Sequence, residues 1–539
     1  MPVDQLEVQR GVVVLVELPL ASGSSRFIPA GAVLLTDDGR GLATEIANRL
    51  SDFEVNAIVI DPNDVDLTDE KAVNDLLAEL RDEHGAIGGL IHLSPLAELA
   101  GDAWETRASR DVKSLYLLAR GLEKDLREAG EAGGGFLLAP TCLGGQLGFG
   151  EAPLPESFQP GHGGILGFVK CLASEWPEVL VRGVDFDDVE APNQFAELLL
   201  SELTDPDGPL EVGYHGGRRF TWEPAQLELD EEERGVTLDQ DSTILITGGA
   251  RGITARIALE LAKRYQPQLV LVGRSPEPKP EPAETASLTD QAEIKRALIA
   301  RLEDAGEAFT PAKVEELYQR LMRDREIAAN LEAIERAGAK VTYREVDVRR
   351  ESEMVKLIEE LESLGGIDGV IHGAGIIDDK LVKDKTPESF DRVFGTKVES
   401  AAILARHLKP ENLKFCAFFA SIASRYGNRG QADYAAANEV LSKLAHQLDR
   451  RWPGRVFAVA WGPWAEVGMV SHLEKHLVKR GLKLIPPEEG AARFADELEH
   501  GRKGESEVLI AGGEEHEIRP KRSGQPAGRP AELAAIDAT

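Results

Sequence analysis

Four side chains in the second half of the sequence have the types and spacing to reduce a carbonyl. Tyr434 and Asn438 lie in QADYAAANEV, four residues apart and so on one face of a helix. Ser421 precedes Tyr434 by 13 residues, at the end of the apolar run FCAFFA, and Lys397 lies on the helical pattern before that run. A free tyrosine, with a pKa of about 10, is a poor acid–base group at neutral pH. A nearby ammonium favours its phenolate, and a serine hydroxyl holds the substrate oxygen. That set suits hydride delivery to a ketone with protonation by the tyrosine. Taken singly, each residue has an ordinary alternative: Tyr434 as a packing aromatic, Ser421 as a turn residue, Lys397 as a solvated lysine. Their common order behind a nucleotide-type turn argues for chemistry.

That turn is Thr247-Gly248-Gly249-Ala250-Arg251-Gly252-Ile253-Thr254, between the strand TILI and an amphipathic helical pattern. Glycines there let backbone amides approach a pyrophosphate at a helix N-terminus, where the dipole favours anions. Thr254 stands where a third glycine is usual, and tight strand–helix turns need glycine even without a ligand. The next strand, LVLVGR, ends at Arg274. An acid there would hold a ribose 2′-hydroxyl, whereas an arginine suits the 2′-phosphate of NADP or is simply a solvated residue. Asp347-Val348 ends the strand VTYREVDV, where a carboxylate can accept from an adenine amino group. Gly373-Ala374-Gly375 follows His372 and allows close backbone approach to a cofactor; His372 itself reads as structural.

The elements that must position these residues occur twice. Residues 31–50, GAVLLTDDGRGLATEIANRL, match 242–261, STILITGGARGITARIALEL, in an apolar strand, a turn with Arg-Gly, and a helical pattern. GGLIHLSPLAEL echoes DGVIHGAGIIDD, and SLYLLAR echoes SAAILAR. Both halves reach a Trp-Pro pair that closes a helical stretch, at Trp176-Pro177 and Trp452-Pro453. Serial strand–turn–helix units imply an α/β class with parallel sheets covered by helices on both faces, here two Rossmann-like doubly wound subdomains. The expected division is a structural subdomain at 1–230, a catalytic subdomain at 231–513, and a tail or linker at 514–539. A Pro-rich start and charged helical spacing mark an insertion at 275–337, read as two or three helices packed outside the sheet.

The first half lacks the machinery. Its tyrosines, Tyr116 and Tyr214, lie off the helix before Trp176-Pro177. Asp111 falls opposite Lys397, and TDDGRG puts two carboxylates where a pyrophosphate would sit. Composition narrows the remaining classes. The net charge of −32 in 539 residues argues against nucleic-acid binding. Residues 1–240 hold 45 acidic and 17 basic residues, leaving 48 and 44 for the rest, so the halves carry −28 and −4. The excess thus lies away from the proposed anion site. Three cysteines, none in CxxC spacing, argue for a reducing compartment and against a cysteine metal site; no metal is expected. No apolar run is long enough to span a membrane, and MPVDQLEVQR lacks the pattern of a signal peptide, so a cytoplasmic location is expected.

TGGARGIT, HGAG, TKVES, SIAS, GQADYAAAN and AWGPWAEVGM resemble the ketoreductase domains of polyketide and polyunsaturated fatty acid synthases, within the short-chain dehydrogenase/reductase superfamily. GGILGFVKCLASEWPEVLVRGVDFD and GYHGGRRF resemble that family's N-terminal structural subdomain, so the resemblance spans roughly residues 10–513. The insertion and GGARGITA look closest to the polyunsaturated fatty acid type. The resemblance implies NADPH-dependent reduction of a β-ketoacyl thioester, tethered to an acyl carrier protein, to the β-hydroxyacyl form. It makes Tyr434 the proton donor, lets Ser421 orient the ketone, and gives Lys397 and Asn438 the rest of the tetrad and proton relay. Ile377-Asp378-Asp379 stands where members giving the R alcohol carry Leu-Asp-Asp, and Tyr426 occupies the place of the tryptophan typical of the opposite stereotype. Leu is replaced by Ile377, and a usual proline is missing near Arg429; Asp378 and Asp379 could equally be a solvated loop pair. Alternatives to the synthase reductase are a free-standing short-chain reductase of a diffusible ketone and a non-catalytic structural module.

Overall fold

The computed structural model describes residues 8–21, 28–98, 103–150, 154–155, 158–187, 191–469, 474–479 and 482–513. The expected tail at 514–539 lies outside the described residues. The apolar runs of the first half form β1 (Val8–Leu18), β2 (Ala32–Thr36), β3 (Ala57–Ile60), β4 (Ile87–His92), β5 (Phe136–Thr141), β6 (Leu180–Phe186), β7 (Glu211–His215) and β8 (Arg218–Gln226). Those of the second form β9 (Thr243–Thr247), β10 (Gln268–Gly273), β11 (Lys340–Glu345), β12 (Gly369–His372), β13 (Phe415–Ser421), β14 (Arg455–Trp461) and β15 (Glu507–Gly512). Strands such as β5 and β14 are buried at every position, which is why they read as continuous apolar runs and not as alternating ones.

The second half has the order β11-β10-β9-β12-β13-β14-β15, parallel throughout. The order reverses between β9 and β12, and a crevice opens beyond the carboxyl ends of strands at such a point. The first half repeats the plan with one strand fewer, β3-β2-β4-β5-β6-β7, also parallel. The sequence implied two sheets. Among the described residues the strands make one sheet of fifteen, because β1 pairs antiparallel with both β15 and β8. β1 thereby covers two edges that would otherwise expose unpaired backbone groups.

Helices join the halves on the sheet's faces. His162–Glu175 lies against Ala432–Arg451, the helix of Tyr434. The approach is close: a Cβ on Gly167 would come within 2.5 Å of the Ala435 carbonyl oxygen. Beside it is a fully buried charge cluster. The Lys170 ammonium meets Glu211 at 2.7 Å and Glu439 at 3.4 Å, Arg425 meets Glu507 at 2.9 Å and also Glu439, and Lys443 meets Glu439 at 3.0 Å. Charges from both halves thus neutralise one another, which removing any one partner would undo. Helix Trp104–Glu131 likewise packs on Pro387–His407, the helix of Lys397, with Tyr116 stacked on Phe390 at 4.5 Å between centroids.

The duplication extends to a buried polar relay. Thr247 Oγ1 lies 2.8 Å from His372 Nδ1, and Ser400 Oγ lies 3.0 Å from His372 Nε2. Thr36, His92 and Ser114 repeat it at 3.4 and 3.1 Å. Burial holds both imidazoles far below their usual pKa, at about 3 and about 4, so both are neutral cross-links between strands and a helix. The structural reading of His372 fits this arrangement.

Candidate active site

The carboxyl ends of β9, β10, β12 and β13 open onto a cleft of about 1150 Å³. One wall is the glycine-rich turn, which contributes Gly248, Arg251, Gly252 and Ile253. Gly248 has φ of +70°, a left-handed conformation that glycine adopts without strain, and its Cα side abuts Ala374, where a Cβ would lie 3.2 Å from the neighbouring backbone. Thr254, in place of a third glycine, closes the turn by donating its hydroxyl to Gly248 O and to Arg251 O, the latter at 2.9 Å. Thr247 and Gly249 lie behind the wall, Thr247 accepting the Ala374 N–H at 3.2 Å.

The far end carries Arg274, Asp347 and Val348. Arg274 is exposed. Asp347 is held below the usual carboxylate range: burial opposes this, but the Arg349 side chain and backbone N–H and the Arg274 charge win. The strand that was expected to end at Asp347-Val348 stops at Glu345, and the pair begins the following turn. Gly373, Ala374 and Gly375 form the floor.

At the other end, Lys397, Ser421, Tyr426 and Tyr434 face the same space. Ser421 caps helix Ile422–Tyr426, its Oγ accepting the Ala423 N–H at 3.2 Å. Tyr434 is half-buried. Burial raises its pKa, while the Ser421 and Asn438 side chains pull the other way. Lys397 donates to Phe419 O at 2.7 Å, with its Nζ 5.9 Å from the centre of the Tyr434 ring. Burial lowers its pKa to about 7, and no carboxylate pairs with it among the described residues. Asn438 lies one turn below Tyr434; its Nδ2 donates to Tyr434 O at 2.7 Å, and its buried Oδ1 has no hydrogen-bond partner among the described residues.

The two aspartates suggested for stereocontrol lie beside the cleft, engaged elsewhere. Asp378 Oδ2 accepts from Ser389 Oγ at 2.6 Å and from Arg392 at 2.8 Å, and the Ser389 bond is the main reason its pKa is low. Asp379 accepts from Gln431 Nε2 at 3.0 Å. Their backbone neighbour Ile377 lines the cleft in their stead. Tyr426 lies 5.7 Å from the Trp222 ring of the first half, the two rings tilted at 54° to each other.

Other residues of the site escape sequence reasoning. Glu175, in the first half, accepts the Val382 N–H at 2.9 Å and the Gly430 N–H at 3.1 Å, one carboxylate oxygen for each loop beside Tyr434. Glu326, in the insertion, accepts the Gly252 N–H at 3.0 Å and the Arg251 Nε–H at 2.7 Å. The donors of this turn thus point at a carboxylate of the chain's own. Neither glutamate sits in a motif or at a distinctive spacing.

Residues 242–466 match the model of the KR domain. The chain carries a ketoreductase-family domain. Over 484 residues, 87% of this chain and 16% of the relative, it is 30% identical to a polyunsaturated fatty acid synthase polypeptide of Thraustochytrium sp.. It is 27% identical to polyketide synthase PksL of Bacillus subtilis over 60% of this chain and 6% of that protein. The chain therefore spans only a small part of the curated relatives it matches. In fold it is similar to an N-terminal ketoreductase from the macrolactin assembly line, with TM-score 0.69 and 20% identity over 95% of this chain and 93% of that one. An A1-type ketoreductase gives TM-score 0.68 and 21% identity over 94% and 93%.

Proposed function

We propose that this chain reduces a β-ketoacyl thioester, carried on an acyl carrier protein, to the (R)-β-hydroxyacyl thioester, with NADPH as reductant. One observation carries the reading: Ser421, Tyr434 and Lys397 face the same cleft as the glycine-rich turn and Arg274. The donor set fits an anionic dinucleotide, since the turn already accepts a carboxylate and two arginines border it. Arg251 and Arg274 would serve the 2′-phosphate, and Asp347 the adenine. When bound, NADPH supplies the reducing equivalent.

The protein's own part is orientation and proton supply. The Ser421 and Tyr434 hydroxyls hold the ketone oxygen, and the phenol donates its proton as negative charge develops there. Lys397 titrates near neutral pH because it is buried, so it can return a proton to the phenol. The unpartnered Asn438 Oδ1 offers the next acceptor in that relay. A carrier protein and neighbouring synthase domains are the expected partners, the latter in line with the relatives' names as synthases.

The test is NADPH oxidation with a carrier-tethered β-ketoacyl thioester, a soluble thioester and a free small ketone, with the chirality of the alcohol determined. No oxidation with either thioester sinks the reading. A free ketone turned over faster than both would favour a free-standing reductase, and an S product would remove the stereochemical part.

A further inference from the structure

The helical insertion belongs neither to the sheet nor to the proposed chemistry, yet it reaches into the cofactor cleft. Helix Pro311–Arg336 presents Glu326, whose two oxygens occupy the Gly252 N–H and the Arg251 Nε–H. These are donors that the cofactor's phosphates would use. The helix is anchored beside the turn, since Asn330 Nδ2 donates to Ala250 O at 3.0 Å. It is braced on its outer side by Arg325, which pairs with Glu281 at 2.7 Å and donates to Thr285 O at 2.7 Å. Glu326 is therefore held at the turn by a tied-down helix. It remains displaceable, because its side chain is 38% exposed and that of Arg251 is 47% exposed.

We propose that Glu326 is a specificity-determining residue of the cofactor site. Its carboxylate is an internal anion that competes with the cofactor's phosphates for Arg251 and the Gly252 amide, and so sets how tightly the cleft holds NADPH relative to NADH. The proposal rests on the reading of the cleft as an NADPH site. A bound dinucleotide either displaces the carboxylate from its donors or lies beside it. The first gives up an ion pair and the second sets like charges a few ångströms apart, so both weaken binding. The ligand with the additional phosphate is weakened more.

Glu326→Gln keeps the shape and one acceptor oxygen while removing the charge. NADPH and NADH are titrated by calorimetry into the full chain, wild type and variant, at low and high salt. The expected result is an NADPH Kd lowered at least about threefold, with a smaller change for NADH and a narrower difference near ~1 M salt. An unchanged or raised NADPH Kd, or equal tightening of both cofactors, overturns the proposal. Failure of both chains to bind NADPH would instead overturn the cofactor reading, so the two failures are distinct.

Discussion

After β2 the amino-terminal half carries Asp38 where the carboxy-terminal half, after β9, carries Gly249. Asp38 is buried and its own carboxylate fills the turn, accepting the Arg40 N–H at 2.9 Å and the Ala43 N–H at 3.1 Å. The second half leaves that space to glycine and borrows a more exposed carboxylate from Glu326. The same divergence recurs further along each half. Asp111, opposite Lys397, is buried but flanked by Arg107 at 3.5 Å and Arg110 at 3.3 Å, with its pKa at about 6. Lys397 is buried and, among the described residues, its ammonium hydrogen-bonds only to the Phe419 carbonyl. Between these points the Thr–His–Ser relays are alike. The first half thus keeps the scaffold polar groups while placing its own buried carboxylates where the second half has glycine and lysine. The cleft proposed for the reaction lies in the half that keeps the glycine and the lysine.

The sharpest way to break this contrast is at the tyrosines. Tyr434→Phe should lower turnover by about 10²- to 10⁴-fold while NADPH still binds. Tyr214→Phe, in the first half, should leave turnover within about twofold. Retained activity in the first variant would end the distinction.

Lys397→Met probes the uncompensated charge. The folded-state pKa is held near 7 by burial, against 10.5 for an ordinary lysine. Between those pH values the unfolded chain binds more protons, so the native lysine's penalty is full at pH 6 and shrinks as pH rises. Removing the lysine should therefore favour the fold more at pH 6 than at pH 9, by about 2 kcal/mol in denaturant unfolding. An equal effect at both pH values would show that the ammonium is not desolvated.

Glu175→Ala tests whether the first half positions the second. It strands the Val382 and Gly430 amides. It should cost about tenfold in kcat/KM for the keto substrate and leave the NADPH Kd unchanged. A parallel loss of NADPH binding would point to general unfolding instead. The smallest effect is expected at Asp38→Ala, a loss of about 1 kcal/mol in stability, typical of a missing capping side chain, with unaltered turnover. A turnover change there would mean that the first-half turn is not inert.

Much of this was legible in the residues because it depends on local order. Strand–turn–helix units, the glycine turn and the Ser421–Tyr434–Asn438 spacing are short-range patterns, and the helix period alone puts Tyr434 above Asn438. The seam through β1 was not legible. Val8 pairs with Gly512 across almost the whole chain, and no periodicity encodes that partner. Glu326 and Glu175 escaped for a related reason. Glu326 lies in a helix rich in charged residues and Glu175 at the end of a mostly apolar one, and each acts on backbone groups, which have no sequence signature. The partners of Asp378 were not legible either, because a motif gives a position but does not reveal that Ser389 and Arg392 engage its carboxylate.

The pairing of Val8 with Gly512 also has a mechanical side. The first and last strands of the described body lie side by side, so a longer polypeptide could run in and out through a single doorway. Such a body can be strung on a multidomain chain like a bead on a loop. Its neighbours could then swing without pulling the cleft open, since a load on the two ends would fall on the β1–β15 hydrogen bonds and not on the helices that hold Tyr434 and Lys397.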